Sequence, residues 1–135
     1  MIAHKKPNPR RGFTLLEIMT VMAIILILMG MAAGRYERSI LRTKEAALKQ
    51  DLWVMRQAIE QYTIDKQAGP QSLEELVGSG YLREVPIDPI TGRKDWNVEF
   101  DELLISPEQA TTGISNVKSS SDRVSPFENT PYSTW

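Results

Sequence analysis

From Phe13 to Ala33 the chain runs for 21 residues with one charge, Glu17. At 1.5 Å per residue, a helix of that length spans roughly 30 Å, the thickness of a bilayer's hydrocarbon core. This segment predicts a membrane helix, and the remaining residues have to fold around that commitment. The whole-chain values of 41% apolar and 24% charged residues therefore average over two unlike parts. Residues 1–12 hold Lys5, Lys6, Arg10 and Arg11, four of the 16 basic residues, and none of the 17 acidic ones. The chain beyond Gly12 is net acidic, which excludes nucleic-acid binding by bulk electrostatics. With no cysteine in the chain, disulfide frameworks, thiolate zinc sites and cysteine nucleophiles are excluded. A single histidine, His4, argues against histidine catalysis and multi-histidine metal sites. No Gly-rich phosphate loop or nucleophile arrangement appears, so the chain does not read as an enzyme. Asp88 and Asp95 read as turn acids, and Glu74-Glu75 as helix-start charge.

Charge alone leaves the topology open. Lys5, Lys6, Arg10 and Arg11 precede the apolar run, but Arg35, Arg38, Arg42 and Lys44 come soon after it and read as headgroup contacts. The decisive pattern is Arg10-Arg11-Gly12-Phe13-Thr14-Leu15-Leu16-Glu17, which resembles the prepilin-peptidase site of type IV pilins and type II secretion pseudopilins. That resemblance implies a cytoplasmic basic leader, residues 1–12, removed between Gly12 and Phe13, with N-methylation of the new terminal Phe13. It places Glu17 at the fifth mature position. An ionised carboxylate in hydrocarbon costs about 2.5–3.5 kcal/mol on insertion scales and is usually kept for a function. Here it could offset the cationic amine of Phe13 one turn away, or pair with a neighbouring subunit's amine and fix the register of a filament, the role the family implies. The bland alternative is a carboxylate protonated at the membrane surface. An ordinary secretory signal is the competing reading, with Gly30-Met31-Ala32 as its cleavage site. Its apolar core is usually only about 7–15 residues long, and Glu17 would interrupt it.

Helical periodicity continues past the membrane segment. From Arg35 to about Lys66 there is no Pro or Gly, and Leu41, Leu48, Leu52, Met55, Ile59 and Tyr62 trace one face. One helix from Phe13 to about Lys66 would be about 80 Å long. Gly69-Pro70 ends it, and Ser72-Leu73-Glu74-Glu75 is a capping box for a short helix near 72–78. Gly78 and Gly80 stop that helix, and Tyr81 and Leu82 return to the core. Asp88-Pro89-Ile90-Thr91-Gly92 reads as a turn. Alternation of Trp96, Val98 and Phe100 predicts a half-buried strand, with Leu103–Ile105 as its partner, strands near 96–105. Residues 106–135, rich in Ser, Thr, Asn, Gly and Pro, read as a long loop with Phe127, Tyr132 and Trp135 as anchors.

This body resembles the major (G-type) pseudopilins of type II secretion through Leu73-x-x-Leu76, Gly80-Tyr81-Leu82, Pro86-x-Asp88-Pro89 and the Trp-ended tail. The resemblance implies an α+β fold: a long N-terminal helix, half membrane and half amphipathic, packed on a small antiparallel sheet with a long carboxyl-terminal loop. Residues 13–34 would be the transmembrane and assembly helix, packed closely through Ala23, Gly30, Ala32, Ala33 and Gly34. Residues 35–135 would be the periplasmic domain. Many relatives carry proline where Gly34 stands; glycine permits local loosening without removing a hydrogen bond. The family also implies a calcium-binding terminal loop. Asp122, in Ser119-Ser120-Ser121-Asp122, would supply one aspartate, but the second is missing, Glu128 being the other acid at this end. A solvated serine-rich loop is the alternative to a calcium site, since calcium takes 6–8 oxygens, commonly with several carboxylates.

The expected function is a structural subunit of a type II secretion pseudopilus, polymerising through its N-terminal helix to drive protein export. Implied partners are further copies in a helical homopolymer, minor pseudopilins, the inner-membrane assembly platform, prepilin peptidase and the inner membrane itself. The implied location is single-pass in the bacterial inner membrane, with the N-terminus cytoplasmic. A type IV pilin of a surface fibre is the alternative, disfavoured by the lack of cysteine. A soluble secreted binding module is the alternative of another class.

Overall fold

The computed structural model describes residues 2–4, 12–106 and 109–135, and of residues 104–106 and 109 the backbone alone. Most of the basic leader expected at 1–12 lies outside the described residues. The elements are helix α1 (Leu15–Lys66), short helix α2 (Leu73–Gly78), strands β1 (Asn97–Ser106) and β2 (Gln109–Lys118), and a 3-10 turn at Tyr132–Thr134. The result is α+β. The chain forms two compact units, Met1–Ser39 and Ile40–Trp135.

In the first unit Gly12, Phe13 and Thr14 precede the helix. Thr14 caps it: its Oγ1 accepts from the Glu17 main-chain N–H at 3.2 Å. That bond satisfies one of the orphan donors of the first turn. Apolar side chains then point outward all round, from Leu15 at 77% exposure to Met31 at 66%. The 18-residue window that meets the length and composition of a membrane span has a mean hydropathy of 2.4 and no buried residue. A helix apolar on every side cannot face water, so its partners are lipid or other helices.

The second unit has a proper core. The expected stripe on α1 is buried from Leu48 through Leu52, Met55 and Ile59 to Tyr62. It packs with Leu73, Leu76, Leu82, Val85, Trp96, Ile114, Val117 and Tyr132. Leu41, at the start of the same stripe, is half-buried. The helix ends at Lys66, where Gln67 takes the left-handed conformation (φ 52°). Helices often stop through such a residue, more often a glycine. Gly69, three residues past the end, serves a different purpose: it touches Gly113 of β2.

α2 begins where the capping box put it. Ser72 Oγ accepts from the Glu75 N–H at 3.2 Å. The Glu75 carboxylate engages the Ser72 main-chain N–H expected of the box and accepts as well from the Gln71 N–H at 2.6 Å. It also accepts from the Tyr62 hydroxyl at 2.6 Å, tying the short helix to α1. The Asp88–Gly92 turn closes by a Gly92 N–H bond to the Asp88 carbonyl at 2.7 Å, with Gly92 at φ 73°.

Two expectations about the sheet are corrected. Leu103–Ile105 is no partner of the strand at 96–100; both lie on β1, which pairs antiparallel with β2. β2 falls inside the stretch expected to be loop. Its Thr111, Thr112, Ile114 and Val117 are β-branched and fit a pleated, half-buried surface. Serine and asparagine between them give the stretch a loop-like composition. The second correction is Phe100, which is 53% exposed. A register shift between Glu99 and Phe100 breaks the alternation that would have carried it inward. The loop proper is 119–135.

Candidate assembly site and the carboxyl-terminal loop

At the Gly12–Phe13 step the geometry is open among the described residues. A Cβ built on Gly12 would meet nothing within 4 Å. Among the described residues, packing does not demand a glycine there. Phe13, 79% exposed, and Glu17 lie beside Ile18, Val21 and Met22 along a shallow apolar groove on the helix. The main chain of Glu17 is engaged by the Thr14 cap, while its side chain is exposed. Such a carboxylate on an otherwise apolar surface is available to a cationic group on another molecule.

The second unit concentrates its polar chemistry on the loop 119–135, around two acids that the sequence did not single out as buried. Glu45 is 5% exposed and Asp88 0%. Glu45 Oε1 accepts from Ser125 Oγ at 2.7 Å and from the Tyr132 hydroxyl at 2.6 Å. Burial, and then the bond to Glu45, push the Tyr132 phenol up to about 12. Asp88 Oδ2 accepts from Ser119 Oγ at 2.5 Å, and Asp88 Oδ1 from the Ile90 N–H at 2.8 Å. The signal for Glu45 was present in the stripe. It occupies the seam position between Leu41 and Leu48, where the apolar interval widens to seven. Asp88 looked like any turn acid; nothing in the sequence marked it as buried.

Three basic side chains of α1 also hold the loop. Arg56 donates to the Trp135 main-chain oxygen at 2.6 Å and to the Val117 carbonyl at 3.0 Å. Lys49 pairs with Glu128 and also sits 4.8 Å from the centre of the Trp135 ring. Arg42 lies 4.8 Å over Phe127, so this member of the expected headgroup run faces the loop instead. The expected anchors hold in different ways. Tyr132 is buried and meets Trp135 edge-on at 4.9 Å, while Phe127 and Trp135 are half-buried.

Asp122, the expected calcium ligand, is exposed. It lines a polar cleft with Thr91, Arg93, Ser120, Ser121 and Arg123. Asp95 accepts from Thr91 Oγ1 at 2.7 Å and lies 3.4 Å from Arg93. The Thr91 bond holds its carboxyl below the ordinary aspartate value. Among the described residues no group of three or more His, Cys, Asp or Glu side chains is placed to hold a metal. An exposed Asp122, with Asp95 already paired to Arg93 and with Arg123 at the same cleft, does not fit what a calcium ion requires.

A basic N-terminal stretch, a Gly-Phe step, an acid one turn on in a helix apolar on every side, and a small α+β body are the features of the type IV pilin and pseudopilin class. Residues 7–33 match the family described as prokaryotic N-terminal methylation motif. The type II secretion system core protein G of Klebsiella pneumoniae is 30% identical over 120 residues, covering 74% of this chain and 77% of the relative. That of Escherichia coli K12 is 31% identical over 120 residues, covering 74% of each. The chain belongs to the type II secretion system core protein G family. The type IV major fimbrial protein FimA of Dichelobacter nodosus is 41% identical over 61 residues, which cover 44% of this chain and 39% of that protein. No solved structure matches.

Proposed function

We propose that this chain is made as a precursor, cut between Gly12 and Phe13, methylated at Phe13, and assembled through its apolar helix into a short homopolymeric filament that drives protein export across the outer membrane. The observation that carries the reading is the apolar first part of α1, exposed on every side, with Glu17 one turn after Phe13. Packing against like helices buries that surface, and Glu17 would pair with the amine of a neighbouring Phe13 to set the axial register. The leader would face the cytoplasm, where prepilin peptidase removes it, and the body the periplasm. Minor pseudopilins and the inner-membrane assembly platform are the further partners. The work is mechanical rather than catalytic.

Deletion of the coding sequence, with comparison of culture-supernatant proteins and surface filaments, tests this. Export is lost with surface fibres intact; the intact sequence restores it and a Glu17→Ala version does not. Lost fibres with unchanged export would instead make the chain a pilin.

A further inference from the structure

We infer that the loop 119–135 is closed by two buried protein carboxylates, Glu45 and Asp88, and needs no divalent cation. A loop that wraps a calcium ion keeps oxygen ligands, several of them carboxylates, converging inside itself. In this chain the arrangement is reversed. The buried acceptors belong to the body, Glu45 on α1 and Asp88 in the Asp88–Gly92 turn, and the loop supplies hydroxyl donors: Ser119, Ser125 and Tyr132.

Neither buried acid stands in an ion pair among the described residues. The loop's hydroxyls serve Glu45 Oε1 and Asp88 Oδ2, while the Ile90 N–H of the body serves Asp88 Oδ1, and a buried carboxylate oxygen that lost its loop partner would be costly. The loop's own acids are committed elsewhere. Glu128 pairs with Lys49, and Asp122 is exposed in a cleft that also presents Arg93 and Arg123. The Asp95 carboxylate beside this cleft is already engaged by Arg93 at 3.4 Å and by the Thr91 hydroxyl, and Arg123 adds a positive charge, so a divalent cation at Asp122 would find no second uncommitted carboxylate there. The loop is meanwhile closed on itself by the Val124–Pro131 bridge and by the Tyr132 N–H bond to the Arg123 carbonyl at 3.0 Å.

The test is thermal unfolding of the full chain in detergent micelles, monitored by tryptophan fluorescence, with calcium chloride at about 10 mM or with EGTA. That concentration exceeds the roughly 10⁻⁴–10⁻³ M dissociation constants of extracellular calcium modules. A bound ion would raise the midpoint by several degrees through mass action. We expect the two midpoints to coincide within about 1 °C, given that scale, and Asp122→Asn to leave both unchanged. The Ser119→Ala/Ser125→Ala chain should melt several degrees lower, equally in calcium and in EGTA. A midpoint raised several degrees by calcium in the unaltered chain overturns the inference, as does an unchanged midpoint in the double variant. The comparison on the unaltered chain requires no variant to fold.

Discussion

Gly69 and Gly113 meet backbone to backbone: a Cβ built on Gly113 would stand 2.4 Å from the Gly69 Cα. The converse is as tight, with a Cβ on Gly69 at 2.7 Å from the Gly113 Cα and from Leu103 Cδ1. Next to this contact the Ile114 N–H donates to the Pro70 carbonyl at 2.8 Å, so the segment after α1 is bonded to β2. Neither glycine is needed for a left-handed backbone; each is needed because two main chains touch. Gly113→Ala should cost at least about 1–3 kcal/mol, the usual range for overpacking, since backbone rather than a flexible side chain blocks the space. Gly78→Ala is the control, with nothing within 4 Å of its Cβ. Chemical denaturation of the three chains measures both.

Raising the pH should loosen the loop through Tyr132. Its phenol is pushed up to about 12 from the ordinary value of 10.0, chiefly by burial and then by the bond to Glu45. The neutral form is favoured in the folded state, so the contribution is complete below pH 10.0 and is lost as pH rises toward about 12. Tyr132→Phe should remove this alkaline limb and, by leaving Glu45 with Ser125 as its remaining hydroxyl donor, cost about 1–3 kcal/mol at neutral pH. Phenolate absorbance against pH, in the unaltered chain and in Glu45→Gln, tracks the group directly. In Glu45→Gln the titration should move down toward ordinary tyrosine.

At the acid end the sign reverses. The Tyr62 hydroxyl first, and the Gln71 N–H second, hold the Glu75 carboxyl below its ordinary 4.5. This group stabilises the fold above about that pH, and its contribution disappears as pH falls through the lowered folded value. Glu75→Gln should therefore flatten the acid side of a stability–pH profile measured by thermal melts. Tyr62→Phe should flatten it less, because the Gln71 and Ser72 main-chain donors remain.

Elements with a strong period or a local cap were readable in the residues. Ser72 marks a helix start, and the Leu48-to-Tyr62 stripe marks a buried face, because capping and periodicity are local physics. β2 was not readable. Its signal is a few β-branched residues among serines and asparagines, and its stability comes from pairing with β1 and from burial of Ile114 and Val117. Helix termination was half legible: Gly69-Pro70 pointed to the right place, but Gln67 turns the chain and Gly69 makes room for β2. Asp88 shows the same limit in the loop site. A carboxylate two residues before a turn's centre looks solvated unless the chain 31 residues later is known to place Ser119 against it.

Processing and assembly should separate cleanly at Gly12 and Glu17. A Cβ at Gly12 meets nothing within 4 Å among the described residues, so Gly12→Val should leave the fold and its melting midpoint unchanged. If the peptidase reads that position, intact mass spectrometry will find only the uncut precursor, still carrying residues 1–12. Glu17→Ala touches a different step. The Thr14 cap uses the Glu17 main-chain N–H, which alanine retains, so the helix start survives and the charge alone is lost. On the proposed function, both this variant and the unaltered chain should be cut after Gly12 and methylated at Phe13, but chemical cross-linking should give a ladder for the unaltered chain and monomers for the variant. Normal ladders from Glu17→Ala would remove the carboxylate from the assembly contact. An uncut Glu17→Ala precursor would instead place the acid in recognition by the peptidase.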